Sequence, residues 1–179
     1  VVSKNQGVKF GMRMRFVWLC SCLLIATACS ISYKFNGAAI DYTKVKSIMI
    51  SDFTNQAALV NPTLAPELTE AIKDVYIRQT RLQQVRSNGD LELEGEVTGY
   101  EFTPMAVKED AYASQTRLTI TIRVRYTNNT NPDEDFEQSF TAYREFDSNK
   151  MPQQVEGDLC AEIIEEVVDQ IYNATVANW

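Results

Sequence analysis

Read for the alternation of apolar and polar positions, the chain from about residue 45 onward divides into strands of period two and helices with one apolar stripe. "SIMISDF" (47–53) is a short β-rich run. "NQAALVNPTLAPEL" then supplies turn and start signals, with Asn61-Pro62 followed by Thr63 and Pro66. Leu64, Leu68, Ala71, Ile72, Val75 and Tyr76 recur at helical spacing, which predicts an amphipathic helix over 65–81. "SNGD" (87–90) stops that element. In "LELEGEVTGYEF", Leu91, Leu93, Gly95 and Val97 alternate with Glu92, Glu94, Glu96 and Thr98, a strand with one wet face that Pro104 ends. A loop of about ten residues leads to "TRLTITIRVRYT", the clearest strand in the chain. Leu118, Ile120, Ile122, Val124 and Tyr126 face one way; Arg117, Thr119, Thr121, Arg123 and Arg125 face the other. "NNTNPDED" is a turn cluster, and "FEQSFTAYREF" predicts a fourth strand. From Gly157 on, Leu159, Cys160, Ile163, Ile164, Val167, Val168 and Ile171 make the stripe of an acidic amphipathic helix.

The order is β-α-β-β-β-α. Each strand has one apolar side and each helix one apolar stripe, so two layers bury both. The expected class is α+β: a two-layer sandwich with two helices packed on one face of a four-stranded, mostly antiparallel sheet. The opposite face of that sheet stays polar. A single globular domain is expected over 47–179.

The first 28 residues read differently. Lys4, Lys9, Arg13 and Arg15 precede an apolar run, 16–28, that exits through Ala26-Thr27-Ala28, with no acidic residue before Cys29. A basic head, a short apolar middle and small residues at the exit form a secretory signal. The run is too short for a spanning helix, which needs roughly 20 apolar residues. A start at Met12 or Met14 suits the signal better than Val1, leaving 1–11 as an artefact of start-site choice. A cysteine directly after small residues is the pattern of a lipoprotein signal: cleavage before Cys29 and a diacylglycerol on its sulfur. Ala28-Cys29 fits this, Leu19-Cys20 does not, and Ser21-Cys22 would leave too little apolar core. The competing reading is an ordinary cleaved signal with an idle cysteine. Acyl chains, contributing about 0.8 kcal/mol per buried methylene, would hold the protein at a membrane surface without a span. Residues 29–46 then read as a lipidated tether, docking by Tyr33 and Phe35.

Charge and composition narrow the chemistry. Cleavage takes four positive charges out of a net −7, to −11. A surface that acidic argues against a nucleic-acid binder, which needs a basic footprint. The chain has no histidine, so the commonest general base and the commonest zinc ligand are both missing. Neither a catalytic residue nor a metal ligand set is expected, and no cofactor beyond the covalent lipid on Cys29. After cleavage only Cys29 and Cys160 remain, and acylation of the first rules out an internal disulfide. Cys160 lies within an apolar stripe and reads as a small buried hydrophobe. Glu165, Glu166 and Asp169 lie opposite that stripe and read as a solvated face.

The candidate binding chemistry lies on the sheet's polar face. A roughly symmetric loop sets Glu96 opposite Arg123 and Glu94 opposite Arg125. Two readings follow. Arg117, Arg123 and Arg125 belong to a self-satisfied ladder of opposite charges, each pair contributing about 0.2–1 kcal/mol. Alternatively the same three arginines meet anionic phosphates on a lipid or glycan. Tyr112 in the long loop and Trp179 at the terminus are the hardest aromatics to place inside, and are the candidate partner contacts. Asn128-Asn129-Thr130 matches a glycosylation acceptor formally, a match expected by chance.

"CSISYKFNGAAI" after the signal, "ISDFTNQAALVNPTL" before the first helix, "GDLELEGEVTGYEFTPMA", "TRLTITIRVRYTNN", "FEQSFTAYREF" and the terminal "ANW" resemble the Bacteroidetes-type branch of the LPS-assembly lipoprotein family LptE. The resemblance runs from Cys29 to Trp179. It implies a fold of two helices on a four-stranded sheet and a non-enzymatic outer-membrane lipoprotein, anchored through Cys29 on the periplasmic side. It further implies that the globular part helps assemble and plug the β-barrel LptD, through which lipopolysaccharide reaches the outer leaflet. Basic residues that contact lipopolysaccharide in the wider family do not align with particular positions here. The alternative function is a periplasm-facing lipoprotein that binds a lipid or glycan in its own pocket.

Overall fold

A computed structural model describes residues 40–105 and 114–176. The elements run β1 (Ser47–Ile50), β2 (Thr54–Asn55), α1 (Leu64–Gln79), β3 (Gln83–Val85), β4 (Leu91–Pro104), β5 (Gln115–Asn128), a 3-10 turn (Pro132–Glu134), β6 (Phe136–Asp147) and α2 (Pro152–Thr175). The expected α+β architecture with two helices is present. The sheet, however, has six strands and is mixed: β3-β1-β4-β5-β6, with β2 also on β4. β4, β5 and β6 form the long antiparallel half. β1 runs parallel to both β3 and β4, and β2 parallel to β4. The helix between β1 and β3 forces this, because a crossover of that length returns the chain in the same direction.

Of the run read as one strand, 47–53, only Ser47–Ile50 is strand. Residues 51–53 break the ladder before β2 begins at Thr54. Ser51 N–H still reaches Leu93 O at 2.9 Å, and Gln56 N–H reaches Val97 O at 2.8 Å. In the gap the Phe53 ring turns inward and packs over Gly95, where any Cβ would collide with it. Phe53 N–H is not orphaned, since it donates to Thr69 Oγ1 at 3.0 Å, and that hydroxyl donates to Ala65 O at 2.8 Å.

β4 holds the second departure. Its register against β5 shifts between Val97 and Gly99, so Thr98 is an unpaired bulge residue. One extra residue flips the phase of everything after it. Leu91, Leu93 and Val97 face the core before the bulge, and Tyr100 joins them after it. Phe102 follows on the same side and stacks edge-on with both Tyr100 and Phe146. Without the bulge, both aromatics would point at solvent.

The helices cover this apolar face. Leu64, Leu68, Ile72 and Tyr76 of α1 are buried, as is the whole predicted stripe of α2 from Leu159 to Ile171. Helix α2 begins at Pro152, five residues earlier than Gly157. Proline is suited to the first helical position, where its missing N–H has no partner to lose. Thr63 occupies the cap position of α1, yet its hydroxyl donates to Asn61 Oδ1 rather than capping the helix. The turn at 87–90 places Asn88 at φ 53°, a left-handed conformation that asparagine tolerates. Among the described residues no helix is long and apolar enough to cross a membrane.

Candidate functional site: the open face of the sheet

The face away from the helices is polar along its whole length, because period-two strands that bury one side must expose the other. Glu94 stands opposite Arg125, and Glu96 opposite Arg123, the register the sequence predicted. Arg123 reaches Glu96 at 2.5 Å, while Arg125 sits 3.8 Å from Glu94 and 3.3 Å from Glu137. A shallow trough lined by Glu94, Gly95, Glu96, Arg123, Arg125 and Glu137 marks the middle of the face. Arg117 takes its partner from β6 rather than β4, donating to Glu145 from Nη2 at 2.6 Å and Nε at 3.1 Å. Its guanidinium also lies 4.1 Å from the ring centroid of Tyr143, a cation–π contact.

All three predicted arginines therefore share one face, and each has a carboxylate. Glu94 and Glu96 are the partners expected from the sequence; Glu137, Glu145 and Tyr143 of β6 are additional to them. The period-two pattern of "FEQSFTAYREF" carries that signal, since every second residue of the run falls on this face. Seven carboxylates occupy its outward positions (Glu92, Glu94, Glu96 and Glu101 on β4; Glu137, Glu145 and Asp147 on β6) against three arginines. The face is net acidic.

A second polar cluster ties the loop before α1 to α2. Glu156 accepts hydrogen bonds from the Tyr100 hydroxyl and from Asn61 Nδ2, and Asn61 Nδ2 also lies 3.8 Å from Cys160 Sγ. Burial pushes the Tyr100 hydroxyl far above its ordinary value and raises the Cys160 thiol too. A thiol held protonated is a poor nucleophile, so the cluster is a latch. Cys160 is buried within the stripe, as its position in the sequence implied.

At the sheet's edge, Arg144 donates to Glu162 from Nε at 2.8 Å and to Glu166 from Nη1 at 2.6 Å. These bonds, Glu166 first, hold the guanidinium above its already high ordinary value. Glu166 is therefore a clamp between sheet and helix, whereas Glu165 and Asp169 are exposed, the solvated face expected of them. Asn128, the acceptor residue of the glycosylation match, is buried: its side chain closes the 128–131 turn and donates to Glu134 at 2.7 Å. Every buried side-chain nitrogen and oxygen among the described residues has a hydrogen-bond partner. Among those residues no group of three potential metal ligands converges. Cys29, Tyr112 and Trp179 lie outside the described residues.

A family model described as "LptE: Lipopolysaccharide-assembly" matches residues 45–175, the span of both helices and the whole sheet. No curated protein sequence matches. Among solved structures, uncharacterized lipoprotein B from Nitrosomonas europaea is similar at 14% identity, with a TM-score of 0.53 over 74% of this chain and 83% of its own. A hypothetical protein from Chlamydia trachomatis is similar at 10% identity and a TM-score of 0.51, over 75% of this chain and 99% of its own. These two likenesses bear on the fold alone.

Proposed function

We infer, from the premise that this chain belongs to the LptE lipopolysaccharide-assembly family of non-enzymatic lipoproteins, that it acts by contact at the outer membrane. On this reading the protein helps assemble and plug the β-barrel LptD, and so aids transport of lipopolysaccharide to the outer leaflet. Cys29 carries the lipid, and the tether hands over to the fold at Lys46 and Ser47. There the Asp90 carboxylate accepts both backbone N–H groups, at 2.8 and 3.0 Å. Tyr112 and Trp179 are proposed as partner contacts.

The observation that carries this reading is the family match across the entire described fold. The open face supports assembly ahead of direct lipid capture. Phosphates approaching Arg117, Arg123 and Arg125 would have to displace carboxylates already bonded there, on a surface that repels anions. The three arginines are therefore secondary candidates for lipopolysaccharide contact.

Purification of the lipidated protein from its own outer membrane in mild detergent tests the inference. Recovery of a large β-barrel in stoichiometric amount is the expected result; a monomer carrying bound lipid would favour the pocket-carrier alternative. Depletion of the protein should lower surface lipopolysaccharide. If surface levels hold and the barrel still matures, the export role is wrong.

A further inference from the structure

The two edges of the sheet differ. One edge is β3, three residues long, and shortness is one way in which sheets avoid unwanted pairing. The other is β6, twelve residues long, paired without a break from Phe136 to Asp147 and free of proline, glycine and lysine. The direction of its backbone groups follows from β5. Ser114 O accepts from Ser148 on the β6 side, whereas Gln115 O accepts from Met105 on the β4 side. Even-numbered residues of β5 therefore turn to β6, and by the alternation of antiparallel pairs the even-numbered residues of β6 turn back. Glu137, Ser139, Thr141, Tyr143 and Glu145 consequently present their N–H and C=O groups to the edge. Arg144 Nη1 donating to Tyr143 O at 2.8 Å agrees with this, and it is the one such group with a side-chain partner among the described residues.

We propose that the β6 edge is a docking site for one extended segment of another protein, added as a seventh strand and carrying lysine or arginine at alternate positions. The row of unpaired main-chain groups specifies a strand as the occupant. Charge specifies its chemistry through an excess of carboxylates. Glu137, Glu145 and Asp147 flank the edge on the open face, where Arg125 and Arg117 pair with the first two but seven carboxylates stand against three arginines. Glu162 and Glu166 flank it on the helix side against Arg144 alone. Charge also argues against a second copy of this chain. An antiparallel self-pair centred on Thr141 sets Glu137 against Glu145 twice. A one-step slide substitutes Glu137 against Asp147, or Asp135 against Glu145. Like charges directly opposite one another destabilise a pair. The site is independent of whether the partner is the export barrel, so it can fail while that reading stands, and the reverse.

Hydrogen exchange at single-residue resolution on the full lipidated protein in detergent tests the proposal. The probe is a short, end-capped peptide alternating lysine and valine. In the free protein the amides of Ser139, Thr141 and Tyr143 should exchange fast while those of Phe140 and Ala142 are protected. Saturating peptide should slow the first set by roughly tenfold or more and leave the second unchanged. The matching glutamate–valine peptide should do far less. Thr141→Pro removes the central outward N–H at an edge position where proline is tolerated, and it should abolish the effect while Phe140 and Ala142 stay protected. If that variant does not fold, the pair Glu137→Lys and Glu145→Lys serves instead and should reverse the preference between the two peptides. Odd-numbered amides already protected in the free chain, protection that depends on protein concentration without peptide, or no alternating pattern with peptide would each overturn the proposal.

Discussion

At the scale of single residues, Gly95 and Asp90 carry demands that composition hides. Gly95 faces the core directly beneath Phe53, and its backbone angles are ordinary, so what it supplies is space. Gly95→Ala forces a buried ring to move and should cost about 1–3 kcal/mol in urea unfolding. Phe53→Leu added to that variant should recover part of the loss; strictly additive costs would show that the two positions are not in contact. Asp90 acts through charge. Its carboxyl is held below the ordinary range, foremost by the Lys46 N–H and further by the Ser47 hydroxyl and N–H. A lowered carboxyl value stabilises the fold above the unfolded value, about 3.9, and that contribution is lost as pH falls through the lower folded value. Asp90→Asn should therefore destabilise by about 1 kcal/mol at neutral pH, at the low end because the site is open to solvent. The gap between wild type and variant should narrow below about pH 4. A gap that persists at low pH would mean that Asp90 works by shape.

At the scale of elements, the bulge in β4 decides which side of the sheet two aromatics occupy. Deleting Thr98 alone removes only the extra residue and keeps the aromatics inside. Deleting Thr98 and Gly99 together would turn Tyr100 and Phe102 out of the core. For that double deletion a chain without fixed near-UV dichroism is expected. Thr98→Ala keeps the length and loses one hydrogen bond, Thr98 Oγ1 to Thr121 O at 3.3 Å; it should fold and lose at most about 1 kcal/mol. Equal damage from the double deletion and from Thr98→Ala would refute the phase argument. The same element shows what a sequence can reveal. β5 and α2 were legible because each repeats its period many times, and their buried residues are the predicted ones. β2 and β3, at two and three residues, are shorter than any period can register. They owe their state to the neighbours they pair with. The start of α2 was not legible because Pro152 to Asp158 hold a single large apolar residue, Val155, so the stripe registers only from Leu159. Gly157 lies inside the helix with nothing within 4 Å of its Cβ position. The arginine face was legible for the converse reason. Alternation fixes the side on which Arg117, Arg123 and Arg125 stand, but says nothing of a third strand's glutamates until that strand's register is known.

At the scale of the whole molecule, the apolar stripes of two helices hold the two layers together, and Cys160 lies inside that of α2. If sheet and helices form one cooperative unit, α2 cannot leave the sheet without global unfolding. The Cys160 thiol is buried and its ionisation is pushed up by that burial, so the native form should react slowly with an alkylating reagent. Labelling then reports the fraction of time that α2 spends detached. The rate at Cys160, followed by peptide mass mapping, should rise with urea in step with the loss of amide protection at Ile120 and Ile122, which are buried at the centre of β5. Arg144 supports this coupling, since it joins the β6 edge to Glu162 and Glu166 of α2. Arg144→Ala should shift both transitions together to lower urea, by an amount near 1 kcal/mol for partly exposed pairs. Labelling that begins well before the β5 amides lose protection would make α2 a separately opening layer. In that event the sheet alone would hold its shape, and contacts made through the edge or the open face would outlast those made through the helices.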